Sequence, residues 1–203
     1  MVDILLGGFW SLTYLIIIVL SLRYRSERKV FMPLIAGMLN FGWEICALYS
    51  SGGYWVHVVW LILDCMILAY NTVILGDYKK RLIYLALLIT FTCLLYRVFQ
   101  SASFDGMLIS SFAIDAIMAI EYLIFTNKLS ERGRVTIGIT RLCGDIFAWI
   151  DSMQYSTFVL IIGITVLVIN LLYVSTCLYY QEKQFSLSSP SKGNGAKKKR
   201  HRK

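Results

Sequence analysis

The residues able to do chemistry in this chain are polar groups set inside apolar stretches: Asn40, Glu44, His57, Asp64, Asn71, Asp115, Glu121, Arg141, Asp145 and Asn170. An ionisable group at the centre of a bilayer costs at least about 2.5–3.5 kcal/mol, which makes each one a candidate functional residue. Asn40 and Glu44 are four apart and share a helical face, as do Arg141 and Asp145. His57, Asp64 and Asn71 recur every seven residues and line one stripe. Asp115 and Glu121 are six apart and point in different directions, so they do not form one site. Arg141 and Asp145 form either a self-neutralising pair or part of a site. Glu44 and Asp64 have no cation four residues away on their own helices. A carboxyl buried without a counter-charge stays protonated and can give its proton up, the property of a general acid. The candidate catalytic residues are therefore Glu44, Asp64 and Asp145.

Indole rings stand beside these acids. Trp43 adjoins Glu44, Trp60 lies one turn before Asp64, and Trp149 one turn after Asp145. Some of the tryptophans, Trp55 among them, belong to the aromatic belt of a membrane interface. Trp43, Trp60 and Trp149 are placed instead to line a water-poor cavity, where an aromatic face stabilises a developing cation.

Elements that position such residues follow from composition. The chain has 203 residues, of which 58% are hydrophobic and 16% charged, with 2 prolines and 14 glycines. Mean hydropathy is +0.65. A soluble domain runs roughly 45–50% apolar and about 25% charged. Helices of about 20 apolar residues cross a bilayer, and seven stretches qualify: 5–22, 30–49, 54–75, 82–99, 107–125, 135–150 and 157–180. The expected fold is an all-α bundle of seven transmembrane helices over residues 1–185, followed by a disordered basic cytoplasmic tail over 186–203. The first stretch lacks a basic leader and is a retained span, not a signal peptide.

Loop charge sets the orientation. Arg23, Arg25, Arg28 and Lys29 follow the first span; Lys79, Lys80 and Arg81 the third; Lys128, Arg132 and Arg134 the fifth; Lys183 and the run 197–203 the seventh. The intervening loops 50–53, 100–106 and 151–156 carry no Lys or Arg. The positive-inside rule then puts the N-terminus outside and the C-terminus in the cytoplasm. This placement accounts for the net charge of +8 without a nucleic-acid partner. The tail is a solvated topology anchor or a polybasic patch on anionic lipid. The chain's five cysteines, Cys46, Cys65, Cys93, Cys143 and Cys177, lie in apolar stretches. No CxxC, HExxH, P-loop, GxSxG or GxGxxG occurs, so neither metal nor cofactor is expected.

LNFGWEICALY in the second span and WLILDCMILAYN in the third resemble the small integral-membrane terpene cyclases of fungal meroterpenoid and indole-diterpene pathways and their bacterial relatives. Those proteins have seven helices and an Asn-x-x-Trp-Glu motif, matched here by Asn40, Trp43 and Glu44. TRLCGDIFAW, with Arg141, and INLLYVSTCLYY, with Asn170 and Tyr173, resemble the family's sixth and closing helices. The resemblance implies metal-free, proton-initiated cyclisation of a prenylated or epoxy-prenylated substrate. Glu44 is then the acid or its support, Asn40 orients it, and Arg141, Asn170 and Tyr173 join the tryptophans in binding substrate. It also implies a multi-pass protein of the bacterial plasma membrane or the fungal endoplasmic reticulum. One departure stands out: Asn170 occupies the place of an acidic residue in the family, leaving Asp64 and Asp145 as the acids available to replace it. The rival class is a small seven-helix transporter or receptor, with His57, Asp64 and Asn71 along a polar path. Transporters of that size carry repeats and recurrent prolines, and here Pro33 alone lies near a span. A retinal protein is excluded because no lysine lies within a span.

Overall fold

The structure, a computed structural model, describes residues 2–50, 55–101, 104–153 and 155–188. Residues 51–54 and 102–103, in loops without Lys or Arg, and the basic run 197–203 lie outside the described residues. Every regular element among the described residues is helical: α1 (Val2–Arg23), α2 (Leu34–Ser50), α3 (Trp55–Leu75), α4 (Tyr78–Ser101), α5 (Phe104–Ile124), α6 (Arg134–Ser152) and α7 (Thr157–Ser188), with a single 3-10 turn at Arg25–Glu27. The expected stretches and the observed helices coincide within a few residues, and α7 continues to Ser188.

Four helices are long and apolar enough to cross a membrane, over Ile4–Arg23, Trp55–Leu75, Tyr78–Gln100 and Thr157–Lys183. At about 1.5 Å rise per residue, their 20 to 27 residues reach roughly 30 to 40 Å. The apolar helix α2 is shorter, at 17 residues. On α6 the charges fall on the inward face: Arg134, Ile137, Gly138, Arg141, Gly144 and Asp145 are buried at three- and four-residue spacing. Large apolar side chains face outward in number, among them Ile83, Leu87, Ile89 and Leu94 on α4.

Local chemistry sets the helix ends. Pro33, which cannot donate a hydrogen bond, precedes α2, and its carbonyl accepts from Gly37 N at 3.1 Å. Gly76, at φ 65°, closes α3 in the left-handed region that a side chain resists. Asp77 then caps α4, its Oδ1 accepting from Lys79 N at 3.0 Å. Ser156 caps α7 through Phe158 N at 3.2 Å.

Packing runs round a ring. α1 lies between α6 and α3, α2 joins α3 to α5, and α7 joins α5 to α6, while α4 packs outside against α2 and α3. Small residues allow the closest approaches. A Cβ on Gly144 would lie 2.9 Å from Trp10 Cδ1, and one on Gly163 would lie 2.2 Å from Trp149 Cδ1. The half of the bundle toward the 24–33 and 125–133 loops is solid, built on Tyr14, Ile17, Phe31, Met32, Ala36, Ile67, Met118, Tyr122, Ile137 and Tyr173. At that end Glu27 meets Lys29 at 3.8 Å and Arg132 at 3.6 Å, and Ser130 N donates to Val30 O at 2.6 Å.

Gly163→Ala is expected to destabilise the bundle by about 1–3 kcal/mol, the usual cost of overpacking. A lower thermal midpoint in detergent is the readout; an unchanged midpoint would show that the Trp149 ring moves aside freely.

Candidate functional site

The other half of the bundle is hollow. A cavity of about 490 Å³ opens among the ends of α1 to α6, with Leu6, Ser50, Val56, Phe99, Leu108 and Ser152 near those ends. This volume lies within the roughly 300–1,000 Å³ range of small-molecule sites. Rings form much of its wall: Trp10 and Tyr14 from α1, Trp43 from α2, Trp60 from α3, Phe99 from α4 and Phe112 from α5.

Glu44 lies on this wall, 2% exposed. Its Oε2 is 2.9 Å from His57 Nδ1 on α3. Carboxyl and imidazole share a hydrogen here, whether as acid and neutral ring or as carboxylate and imidazolium. The His57 ring sits edge-on between two indoles, 5.7 Å from Trp43 and 5.8 Å from Trp60, and Trp43 meets Phe99 edge-on at 6.3 Å. Trp60 is fixed by its Nε1, which donates to Ser11 Oγ at 3.0 Å.

At the floor, Asn40 Nδ2 donates to Tyr14 Oη at 2.6 Å and to Asp64 Oδ2 at 2.7 Å. Asn40 thus orients Asp64 and Tyr14, where the resemblance implied Glu44. Asp64 is 1% exposed and stands behind Asn40, off the cavity lining. Its Oδ1 and the Trp43 Nε1 are buried without a hydrogen-bond partner. The stripe on α3 faces α2 and α4: below Asp64, Asn71 Nδ2 donates to Tyr84 Oη at 3.2 Å.

A second polar cluster lies behind Asp115 on α5, which also lines the cavity. Arg141 Nη2 donates to Asp115 Oδ1 at 2.7 Å and to its backbone carbonyl at 3.1 Å. Asp145 is farther, with Oδ2 at 3.9 Å from Arg141 Nε. Arg141 therefore pairs first across helices, not with its neighbour four residues on. Its guanidinium carbon lies 4.8 Å from the Tyr122 ring centre and 5.8 Å from that of Trp10. Asn170 Nδ2 donates to Asp145 Oδ2. Tyr173 packs edge-on against Tyr122 at 5.3 Å.

Of the expected site residues, Asn40, Trp43, Glu44 and Trp60 line the cavity and Asp64 supports its floor. Arg141, Asp145, Asn170 and Tyr173 assemble in the cluster behind Asp115, off the lining. Trp149 turns toward α7, its Nε1 donating to Leu160 O at 3.3 Å, and does not line the cavity. Sequence reasoning missed Trp10 and Tyr14 on α1 and the two cross-helix partners, His57 for Glu44 and Asp115 for Arg141. For Glu44 the need for a partner was legible, since a buried acid with no counter-charge on its own helix requires one from another, but not which residue supplies it. Arg141 has Asp145 on its own helix and gave no such signal. Among the described residues no cluster of His, Cys, Asp and Glu is arranged to hold a metal ion. The chain matches no protein-family model, no curated protein and no solved structure.

Arg141→Met removes the cation from two buried carboxyls and is expected to cost about 3–5 kcal/mol, as breaking a buried pair does. Adding Asp115→Leu removes one of the two stranded carboxyls, leaving Asp145, and is expected to recover about half of that loss in detergent unfolding. Equal destabilisation of the single and double variants would refute the ion-pair account.

Proposed function

We propose that this chain is a multi-pass membrane enzyme, a terpene cyclase that closes rings in a prenylated or epoxy-prenylated substrate after protonation by Glu44. The observation that carries this reading is a nearly inaccessible carboxyl, hydrogen-bonded to an imidazole, on the wall of a cavity framed by indole and phenyl rings. Arg141, the buried cation that would have tied up Glu44 as a permanent ion pair, pairs with Asp115 instead. The Asn40–Trp43–Glu44 motif and its resemblance to the small membrane cyclases point the same way.

In this mechanism the substrate enters from the lipid with its polar head toward the open end of the cavity. Glu44 gives its proton to an epoxide oxygen or a terminal alkene. With an epoxide, the carbon–oxygen bond breaks, its electron pair goes to oxygen, and a carbocation forms. Ring faces of Trp10, Trp43, Trp60 and Phe112 stabilise the positive charge. The preorganised cavity folds the chain and excludes the water that would quench it. His57, bonded to Glu44, returns a proton to it for the next cycle. Transport along the α3 stripe draws less support, because Asp64 and Asn71 are bonded to Asn40 and Tyr84 and do not line the cavity.

On this reading the solid end, where the basic loops cluster, lies in the cytoplasm, and the cavity mouth and N-terminus lie on the outer side. The three other helices then span with the four long apolar ones, α5 and α6 with Asp115, Glu121, Arg141 and Asp145 turned inward. The partners are the bilayer and a hydrophobic small molecule.

Membranes holding wild type or Glu44→Gln, offered epoxy-prenylated substrates, should differ by at least about 100-fold in product formation, the low end of a general acid's contribution. Undiminished turnover in the variant would take Glu44 out of the mechanism. For topology, a C-terminal tag should be cut by protease only after the plasma membrane is permeabilised, or on intact microsomes if the protein resides in the endoplasmic reticulum. The N-terminal tag should show the reverse; tags on one side together would contradict an odd number of spans.

A further inference from the structure

A cyclisation begun by a proton must also end, by loss of a proton to a base or by capture of water. We propose that Asp115 is the base that ends the reaction, so that the product leaves as an alkene; this inference rests on the cyclase reading. Among the described residues, three carboxyls line the cavity: Glu44, Asp115 and Asp151. Glu44 is engaged with His57 as the donor, and Asp151 sits in the last turn of α6, by the mouth. Asp115 lies in mid-helix among apolar and aromatic wall residues, Ile114, Phe112 and Met118 beside it.

The cluster behind Asp115 is built to accept one proton. It holds two carboxyls and one guanidinium: Asp115 and Asp145 about Arg141. With both carboxyls ionised, the cluster carries one excess negative charge. When Asp115 takes a proton, Asp145 still neutralises Arg141, and the Asn170 amide still donates to Asp145. No buried cation is stranded at either stage, the condition that makes a buried ion pair tolerable. Asn170, an amide where the resembled family has an acid, is on this account a positioning residue that orients Asp145 through that hydrogen bond.

The step balances. A C–H bond next to the final carbocation breaks, its proton goes to the Asp115 carboxylate, and its electron pair forms the carbon–carbon double bond. The proton taken by the substrate from Glu44 remains as the new hydroxyl hydrogen. Asp115 returns the abstracted proton to water after product leaves. No oxidant, reductant or second substrate is consumed.

The test uses detergent-purified full-length protein, a panel of terminal epoxides of geranyl, farnesyl and geranylgeranyl alcohols and their aryl ethers, and heavy-oxygen water. Wild type should release cyclic alkenes free of solvent oxygen. Asp115→Asn should still consume the epoxide, but the alkene share of product should fall by about tenfold or more, replaced by alcohols carrying solvent oxygen. Asp115→Glu should restore alkene formation, which a merely structural role would not require. Asp115→Ser gives the same readout if the Asn variant fails to fold. Wild-type products from a folded Asp115→Asn or Asp115→Ser protein would overturn the assignment of the base while leaving the cyclase reading intact. Failure of wild type to consume any member of the panel would overturn both.

Discussion

The guanidinium of Arg141, 1% exposed inside an apolar bundle, constrains the arrangement of four helices at once. Its attraction to Asp115 ties α6 to α5, Trp10 of α1 and Tyr122 of α5 flank its charge, and Asp145 hands the network on to Asn170 of α7. Such a cluster adds little net stability over apolar side chains of the same volume, because desolvation offsets the Coulomb attraction. Its consequence is positional. A slide of any of these helices by one turn, about 5.4 Å, would strand a charge where no water reaches it. The register of α5, α6 and α7 follows from that penalty, and so does the placement of Asp115 on the cavity wall.

A second, less charged network fixes the opposite side. Asn40 bridges Tyr14 of α1 and Asp64 of α3, and Glu44, one turn further along α2, reaches His57 of α3. Both contacts fall on one face of α2, so a single helix orientation satisfies the amide and the acid together. The two networks meet the cavity from different helices, through Asn40, Glu44 and His57 of α2 and α3 for one and through Asp115 of α5 for the other. Glu44 and Asp115 thus reach the cavity on separate helices, each held by its own partner.

The fold was largely legible in the sequence because apolar length is a strong signal: each expected stretch has its helix, and the seventh continues to Ser188. The candidate site was legible in part. The Asn40–Trp43–Glu44 motif sits on the cavity, since its three- and four-residue spacing already put it on one face. Spacing along one helix carries no information about the helix opposite, so the partner of Glu44 and the first partner of Arg141 were invisible. Trp149 shows the same limit. It stands one turn from Asp145, yet its ring is drawn toward α7 by the gap at Gly163 and by the Leu160 carbonyl. Trp10 carries no sequence signal because the apolar stretch 5–22 holds no charge, though Trp10 and Tyr14 are four apart and face inward together.

The division of the bundle into a solid half and a hollow half has a cause in residue types. Toward the basic loops, flexible or branched side chains such as Met32, Leu39, Ile67 and Met118 fill the axis and interdigitate. Toward the other end the inward positions alternate between extremes. Gly7, Ala47, Ser111 and Ala148 leave space, and Trp10, Trp43, Trp60 and Phe112 are rigid rings that cannot fold into it. Hydrogen bonds and edge-on contacts hold these rings upright, as with Trp60 on Ser11 and His57 between Trp43 and Trp60. Collapse would have to break those contacts and bury the Glu44–His57 pair more deeply still. The cavity therefore persists for the same reason that it is useful: its walls are stiff aromatic faces around a polar pair, and a flexible hydrocarbon chain conforms to such walls more readily than they conform to it.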